Sequence, residues 1–133
     1  MRAGLRERSG KMPPGLSEAA RRAMPSPAVI VEREGAVLVV TLNRPEKKNA
    51  VNCEVMCRLY DAWVELDRDE QLRVAILTGR GETFCAGMDL KAFANGEGPS
   101  ILEGPGGFAG FTHYPRTKPC IAAVNGVALA GGC

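Results

Sequence analysis

Long hydrophobic runs are missing from this sequence. The longest, such as AVLVV and CIAAV, fall far short of the roughly 20 residues that cross a bilayer, which excludes a helical membrane span. Strong net charge is missing too. Lys and Arg number 17 against 15 Asp and Glu, and the resulting +2 is no footprint for nucleic acid. There is one histidine, His113. It falls in a Pro/Gly-rich loop with no positioned partner, and so reads as a surface residue rather than a general base. The five cysteines, Cys53, Cys57, Cys85, Cys120 and Cys133, are odd in number and scattered. Without a secretory signal they read as free thiols in a reducing compartment. Cys53 and Cys57 stand at i,i+4, but no second His/Cys pair has metal spacing, so no metal is expected. Several catalytic signatures are absent. No serine sits in a G-x-S-x-G elbow. GPGGFAG lacks the Gly-Lys-Ser/Thr of a phosphate loop, and TGRGETF has Phe84 where a dinucleotide fingerprint needs its third glycine.

What is present divides into two parts. Residues 1–27 hold six basic and two acidic side chains and few large apolar ones. They read as a disordered basic leader. The arginines leave a mitochondrial transit peptide as an alternative, against which Glu7 and Glu18 count. A start of translation at Met24 is another. Residues 28–133 hold eleven basic and thirteen acidic side chains and form the body.

In the body, AVIVEREGAVLVVTLNRP predicts a strand, a turn at Gly35 and a second strand that Pro45 ends. Asn52 is placed to cap a helix over Cys53–Asp67, whose buried stripe is Val55, Leu59, Trp63 and Leu66. RVAILTG predicts a third strand closed by Gly79. RGETFCAGMDL reads as a loop. DLKAFANG reads as a short helix capped by Asp89 and stopped by Gly96. Residues 97–119 form a long connection with one short helical piece. CIAAVNG predicts another buried strand, from which VALAGGC departs. The order β-β-α-β-loop-β, with glycine loops directly after strands, suits an α/β architecture with ligands at strand ends. Asp89 and Glu103 are conceivable catalytic carboxylates, although Asp89 is well explained as a cap.

The two glycine loops carry the chemistry. FCAGMDL and ALAGGC each place a main-chain N–H beside a glycine just after a strand. Two such N–H groups converging on one point make an oxyanion hole, and main-chain donors suit that task because they are rigid and neutral.

LNRPEKKNAVN, VAILTGRGETFCAGMDLKAF and KPCIAAVNGVALAGGC, in this order and spacing, resemble the enoyl-CoA hydratase/isomerase (crotonase) superfamily, and bacterial-type enoyl-CoA hydratases in particular. The resemblance covers residues 29–133. It implies the crotonase fold, an α/β spiral of stacked β-β-α units. It implies an acyl-CoA thioester substrate whose carbonyl sits between the N–H groups of Met88 and Gly131, so the Met88 side chain is free to vary. Asp89, Leu90 and Lys91 continue the coenzyme A contact, and the KKNAV loop around Ala50 lies near the adenine end. Lys47, Lys48 and Lys91 suit coenzyme A phosphates by charge. No separate cofactor is implied, because the substrate carries its own coenzyme A. The reaction implied is hydration of a 2-enoyl-CoA in fatty-acid-like metabolism. Another acyl-CoA isomerase, dehydratase or lyase, or a non-catalytic coenzyme A-binding or partner-binding protein, are the alternatives. The expected compartment is the cytoplasm, with the mitochondrion as the alternative.

In hydratases of this family a glutamate follows GGC and a second lies further on, and helices close the fold and build trimers or hexamers. Neither glutamate falls within residues 1–133. This sequence therefore reads as the N-terminal half of such an enzyme. Expressed alone, it is expected to aggregate or fold poorly, without hydratase turnover.

Overall fold

A computed structural model describes residues 26–133. The leader expected over residues 1–27 lies outside the described residues except for its last two.

Strands β1 (Val29–Glu34) and β2 (Val37–Leu42) pair antiparallel as a hairpin. Gly35 turns the chain at φ +60°, a conformation that costs glycine least. Along β2 the side chains of Leu38, Val40 and Leu42 are buried and alternate with more open ones, so one face of the strand looks into the core. Pro45 opens a single 3-10 turn, Pro45–Lys47, and the chain then enters α1 (Cys53–Arg68). Asn52 caps α1 as its sequence position predicts: its side-chain oxygen accepts from Val55 N at 3.0 Å. Val55, Leu59, Trp63 and Leu66 face the core, each at most 2% exposed.

Strand β3 (Val74–Gly79) returns parallel to β2, and β5 (Cys120–Ala122) pairs parallel with β3, giving the sheet order β1-β2-β3-β5. A second, two-stranded parallel sheet joins β4 (Thr83–Cys85) to β6 (Val127–Ala128). Between β4 and β5 run a turn of helix, α2 (Leu90–Ala92), a wide turn at Phe93–Glu97, the helix α3 (Gly98–Glu103) and the 3-10 turn Phe108–Gly110. The chain ends in a 3-10 turn, Ala130–Gly132.

Three expectations need correction. The segment read as a pure loop, RGETFCAGMDL, contains β4, because Thr83 and Cys85 find partners on β6 far along the chain. The helix read as stopping at Gly96 bends there (φ +92°) and resumes as α3, because Pro99 lies in the first turn, where a missing N–H costs nothing. The strand in CIAAVNG forms but is not buried: Ile121 is 56% and Val124 57% exposed. As the outermost strand of its sheet, β5 has a face that no described residue covers.

Candidate functional site

The site is built where β4 and β6 both end. Leu129 N donates to Cys85 O at 3.0 Å, which extends the β4–β6 pairing into the loops that follow. The KKNAV loop joins from the other side. Ala86 N donates to Lys48 O (3.0 Å), Val51 N to Gly87 O (2.8 Å) and Asp89 N to Val51 O (2.9 Å). The bridge between Val51 and Met88 is therefore a short piece of parallel pairing.

These bonds bring the two glycine loops into contact. Gly87, at φ +91°, lies so close to the C-terminal turn that a methyl group on it would sit 3.2 Å from Gly131 N and 3.0 Å from Leu129 O. Met88 and Gly131 line one apolar groove of about 590 Å³, with Leu90, Leu102 and Phe108 among its walls. Among the described residues neither the Met88 N–H nor the Gly131 N–H donates to a protein acceptor. Two unspent main-chain donors at one apolar groove can bind an oxygen that is gaining negative charge. Gly132 is fixed by contact as well, since a Cβ there would land on the Cys85 carbonyl oxygen.

The other residues expected at the site fall around this groove. Asp89 caps α2, its Oδ1 accepting from Lys91 N (3.0 Å) and Ala92 N (3.2 Å). Its Oδ2 pairs with Arg44 Nη2 at 3.0 Å, with both side chains about 15% exposed or less. Burial pushes the Asp89 carboxyl up, but the Ala92 N–H, the Arg44 guanidinium and the Lys91 N–H together outweigh it and hold it below the usual carboxylate range. Leu90 is 75% exposed, and Lys91 is exposed beside it. Lys47 and Lys48 are exposed at the rim of the neighbouring loop. Ala50 is buried, and both its polar groups are engaged, its N–H with Lys47 O (3.0 Å) and its carbonyl with Arg44 Nη1 (2.6 Å). His113 is exposed and Glu103 lies on α3, and neither lines the groove. No group of three or more His, Cys, Asp or Glu among the described residues is placed to hold a metal ion. No helix among them is long and apolar enough to cross a membrane.

Two positioning residues escaped the sequence reading. Asn49, 1% exposed, accepts from Arg44 N (2.9 Å) and donates through Nδ2 to Arg80 O (3.0 Å) and Thr83 O (2.7 Å). It thereby ties the KKNAV loop to both ends of the β3–β4 turn. Its φ of +55° is one that asparagine tolerates better than most residues. Arg44 ties the same loop to Asp89, and nothing in the local pattern distinguishes it from an ordinary surface arginine.

Known proteins are similar to this chain in sequence and fold. The sequence model described as enoyl-CoA hydratase/isomerase matches residues 32–133. A carnitinyl-CoA dehydratase of Escherichia coli K12 is 48% identical over 109 residues, which is 80% of this chain and 41% of that protein. Among solved structures, an enoyl-CoA hydratase from Mycobacterium marinum is 53% identical with a TM-score of 0.75, over 80% of this chain and 41% of its own. A carnitinyl-CoA hydratase from Mycobacterium avium is 46% identical with a TM-score of 0.75, over 81% of this chain and 42% of its own. This chain thus spans about 41% of the length of such relatives. The fold is the crotonase fold over this portion, and the chain belongs to the enoyl-CoA hydratase/isomerase family.

Proposed function

We propose that this chain supplies the thioester-binding half of an enoyl-CoA hydratase. The carbonyl oxygen of a 2-enoyl-CoA accepts from Met88 N–H and Gly131 N–H, and coenzyme A lies along Asp89–Lys91 and the KKNAV loop. Addition of water at the β-carbon drives electrons onto the thioester oxygen, giving an enolate-like transition state. Two aimed donors stabilise that charge, and loss of one costs about 3 kcal/mol of barrier. The carboxylates that hold and activate the water in hydratases of the family follow the position of Cys133. The substrate brings its own coenzyme A, and the step calls for no further cofactor or metal. The cytoplasm is the proposed compartment. The relatives named above are bacterial, which lends no support to the mitochondrial alternative.

The observation that supports this reading is that Met88 and Gly131, on loops far apart in sequence and with N–H groups that find no protein acceptor among the described residues, line one apolar groove. Isotope-edited infrared spectroscopy of a 2-enoyl-CoA labelled at its carbonyl carbon tests it. Bound to the chain, the carbonyl stretch should move to lower frequency, and a thioether analogue without the carbonyl should bind more weakly. An unshifted stretch in a bound thioester would sink the reading.

The relatives named for carnitinyl-CoA favour a second reading, in which water is removed from a hydroxyacyl-CoA at the same hole. It is the reverse of the same addition. Competition between carnitinyl-CoA and crotonyl-CoA for the labelled site separates the two.

A further inference from the structure

We propose that Asn125 is a positioning residue for the oxyanion hole: it holds β6 in register on β4 and so sets where the Gly131 N–H stands relative to the Met88 N–H. The proposal rests on the thioester reading above.

Gly131 is placed through β6. That strand has two residues, and its pairing with β4 is irregular: Thr83 meets Val127, Cys85 meets Ala128, and Phe84 between them has no counterpart. So short a ladder has little of its own to fix its register. A slip of one residue would carry Gly131 about 3.3 Å along the strand, too far for its N–H to reach an oxygen already held by Met88.

The dipeptide just before β6 supplies what the ladder lacks. Asn125 Oδ1 accepts from the N–H of Gly79, the buried last residue of β3, at 3.0 Å. Its Nδ2 donates to Gly81 O at 2.8 Å. One amide thereby grips the turn between β3 and β4 at two points. Gly126 is seated on the same turn, where a Cβ would land on the Glu82 carbonyl oxygen. Thr78 Oγ1 fixes the approach to this seat by donating to Ala123 O at 2.9 Å.

Asn49 holds the same turn through Arg80 O and Thr83 O, and a Cβ on Gly79 would sit 2.8 Å from its Nδ2. Two residues on, Val51 pairs its main chain with Gly87 and Asp89, on either side of Met88. The β3–β4 turn is therefore a common block gripped by two asparagines, one from each loop of the hole. Asn49 ties the Met88 loop to it and Asn125 ties the Gly131 loop to it. Asn125 does not line the groove, so it acts through register alone.

The test compares butanoyl-CoA, isotope-labelled at its carbonyl carbon, with S-butyl-CoA, a thioether of the same chain length that has no carbonyl oxygen. Both are titrated calorimetrically into the wild-type chain, Asn125→Ala, Asn125→Asp and the control Arg33→Ala, and the bound carbonyl stretch is read by infrared spectroscopy. Arg33 pairs with Glu65 and Asp69 at the surface and does not line the groove. Because the thioester-to-thioether affinity ratio is taken within one variant, a lower folded fraction cancels. Wild type and Arg33→Ala should share one ratio and one shifted stretch. Asn125→Ala should lose about fivefold in the ratio, the worth of one net hydrogen bond, together with part of the shift. Asn125→Asp keeps an acceptor for Gly79 N–H and loses the donor to Gly81 O, so it should fall between. Should the alanine variant fail to fold, the aspartate variant decides alone. A ratio and stretch equal to wild type in the Asn125 variants overturn the positioning role. An equal fall in Arg33→Ala overturns it too, since the ratio would then follow stability. A wild type whose bound carbonyl stretch is unshifted loses the thioester reading itself.

Discussion

Asn49 should be the most costly single polar side chain to remove. Three hydrogen bonds of 2.7–3.0 Å end on one amide that is 1% exposed. At about 1 kcal/mol net for each bond, Asn49→Gly loses about 3 kcal/mol. The loss approaches 6 kcal/mol if water fails to reach the abandoned Arg80 and Thr83 carbonyls. That is a large share of the roughly 5–15 kcal/mol that stabilises a typical domain. Asn49→Ala should cost about 1 kcal/mol more than the glycine variant, because a Cβ at φ +55° is strained. Asn49→Asp adds a diagnostic of its own. It puts a carboxylate oxygen against two carbonyl oxygens, so the folded state should raise the pKa of Asp at this position. Below the unfolded pKa of roughly 3.9 the protonated acid can still donate one bond, and that stability is lost as pH rises through the folded pKa. The assay is urea unfolding in dilute solution, followed through the fluorescence of the single tryptophan, the buried Trp63. With a slope of about 1.5 kcal/mol per molar, Asn49→Gly should lower the midpoint by about 2 M. A midpoint within about 0.3 M of wild type would refute the idea that one amide holds this loop in place.

Other expectations follow from the same geometry. Gly87→Ala places a methyl 3.2 Å from Gly131 N at φ +91°, and should cost about 1–3 kcal/mol of stability and abolish the carbonyl frequency shift, as read by unfolding and infrared spectroscopy on one sample. Gly131→Ala collides with the Phe108 ring and should lose the shift with a smaller change in stability. Asp89 is held below the usual carboxylate range, so its contribution is present above its unfolded pKa of roughly 3.9 and is lost as pH falls through the folded value. Asp89→Asn should therefore flatten the acid limb of stability against pH. Burial pushes the Cys85 thiol up, with the Gly87 N–H opposing, so Cys85 should resist alkylation until global unfolding, whereas the exposed Cys57 and Cys133 are accessible in the folded chain; mass spectrometry of a labelling time course decides.

Much of the scaffold was legible because its signals are local. The hairpin at Gly35, the Asn52 cap and the stripe of α1 each need only a few neighbouring residues to be read. The proposed hole was legible in part, since each loop carries its own glycine after a strand. Their meeting was implied by the family resemblance and not by local pattern, because β4 and β6 have three residues and two, too few for periodicity to register. Asn49 was hidden for a different reason. A polar loop such as EKKNA normally faces water, and only the tertiary partners Arg80 and Thr83 turn one of its residues into a buried hub. The exposure of β5 was equally out of reach, because an apolar run does not say whether anything covers it.

The pairing of β4 with β6 also dictates when the proposed site comes into being. Met88 and Gly131 belong to loops that meet only through contacts between segments far apart along the chain, and such contacts require closure of a long loop before they give anything back. No partly folded chain can hold both N–H groups in register, so half a fold would give no half-strength site. A ligand that recognises the pair binds only the finished structure. By mass action it would deepen that state by RT ln(1 + [L]/Kd), about 2.7 kcal/mol at a hundredfold excess over Kd. Under the proposed function, an acyl-CoA pool would act on this protein as a folding aid.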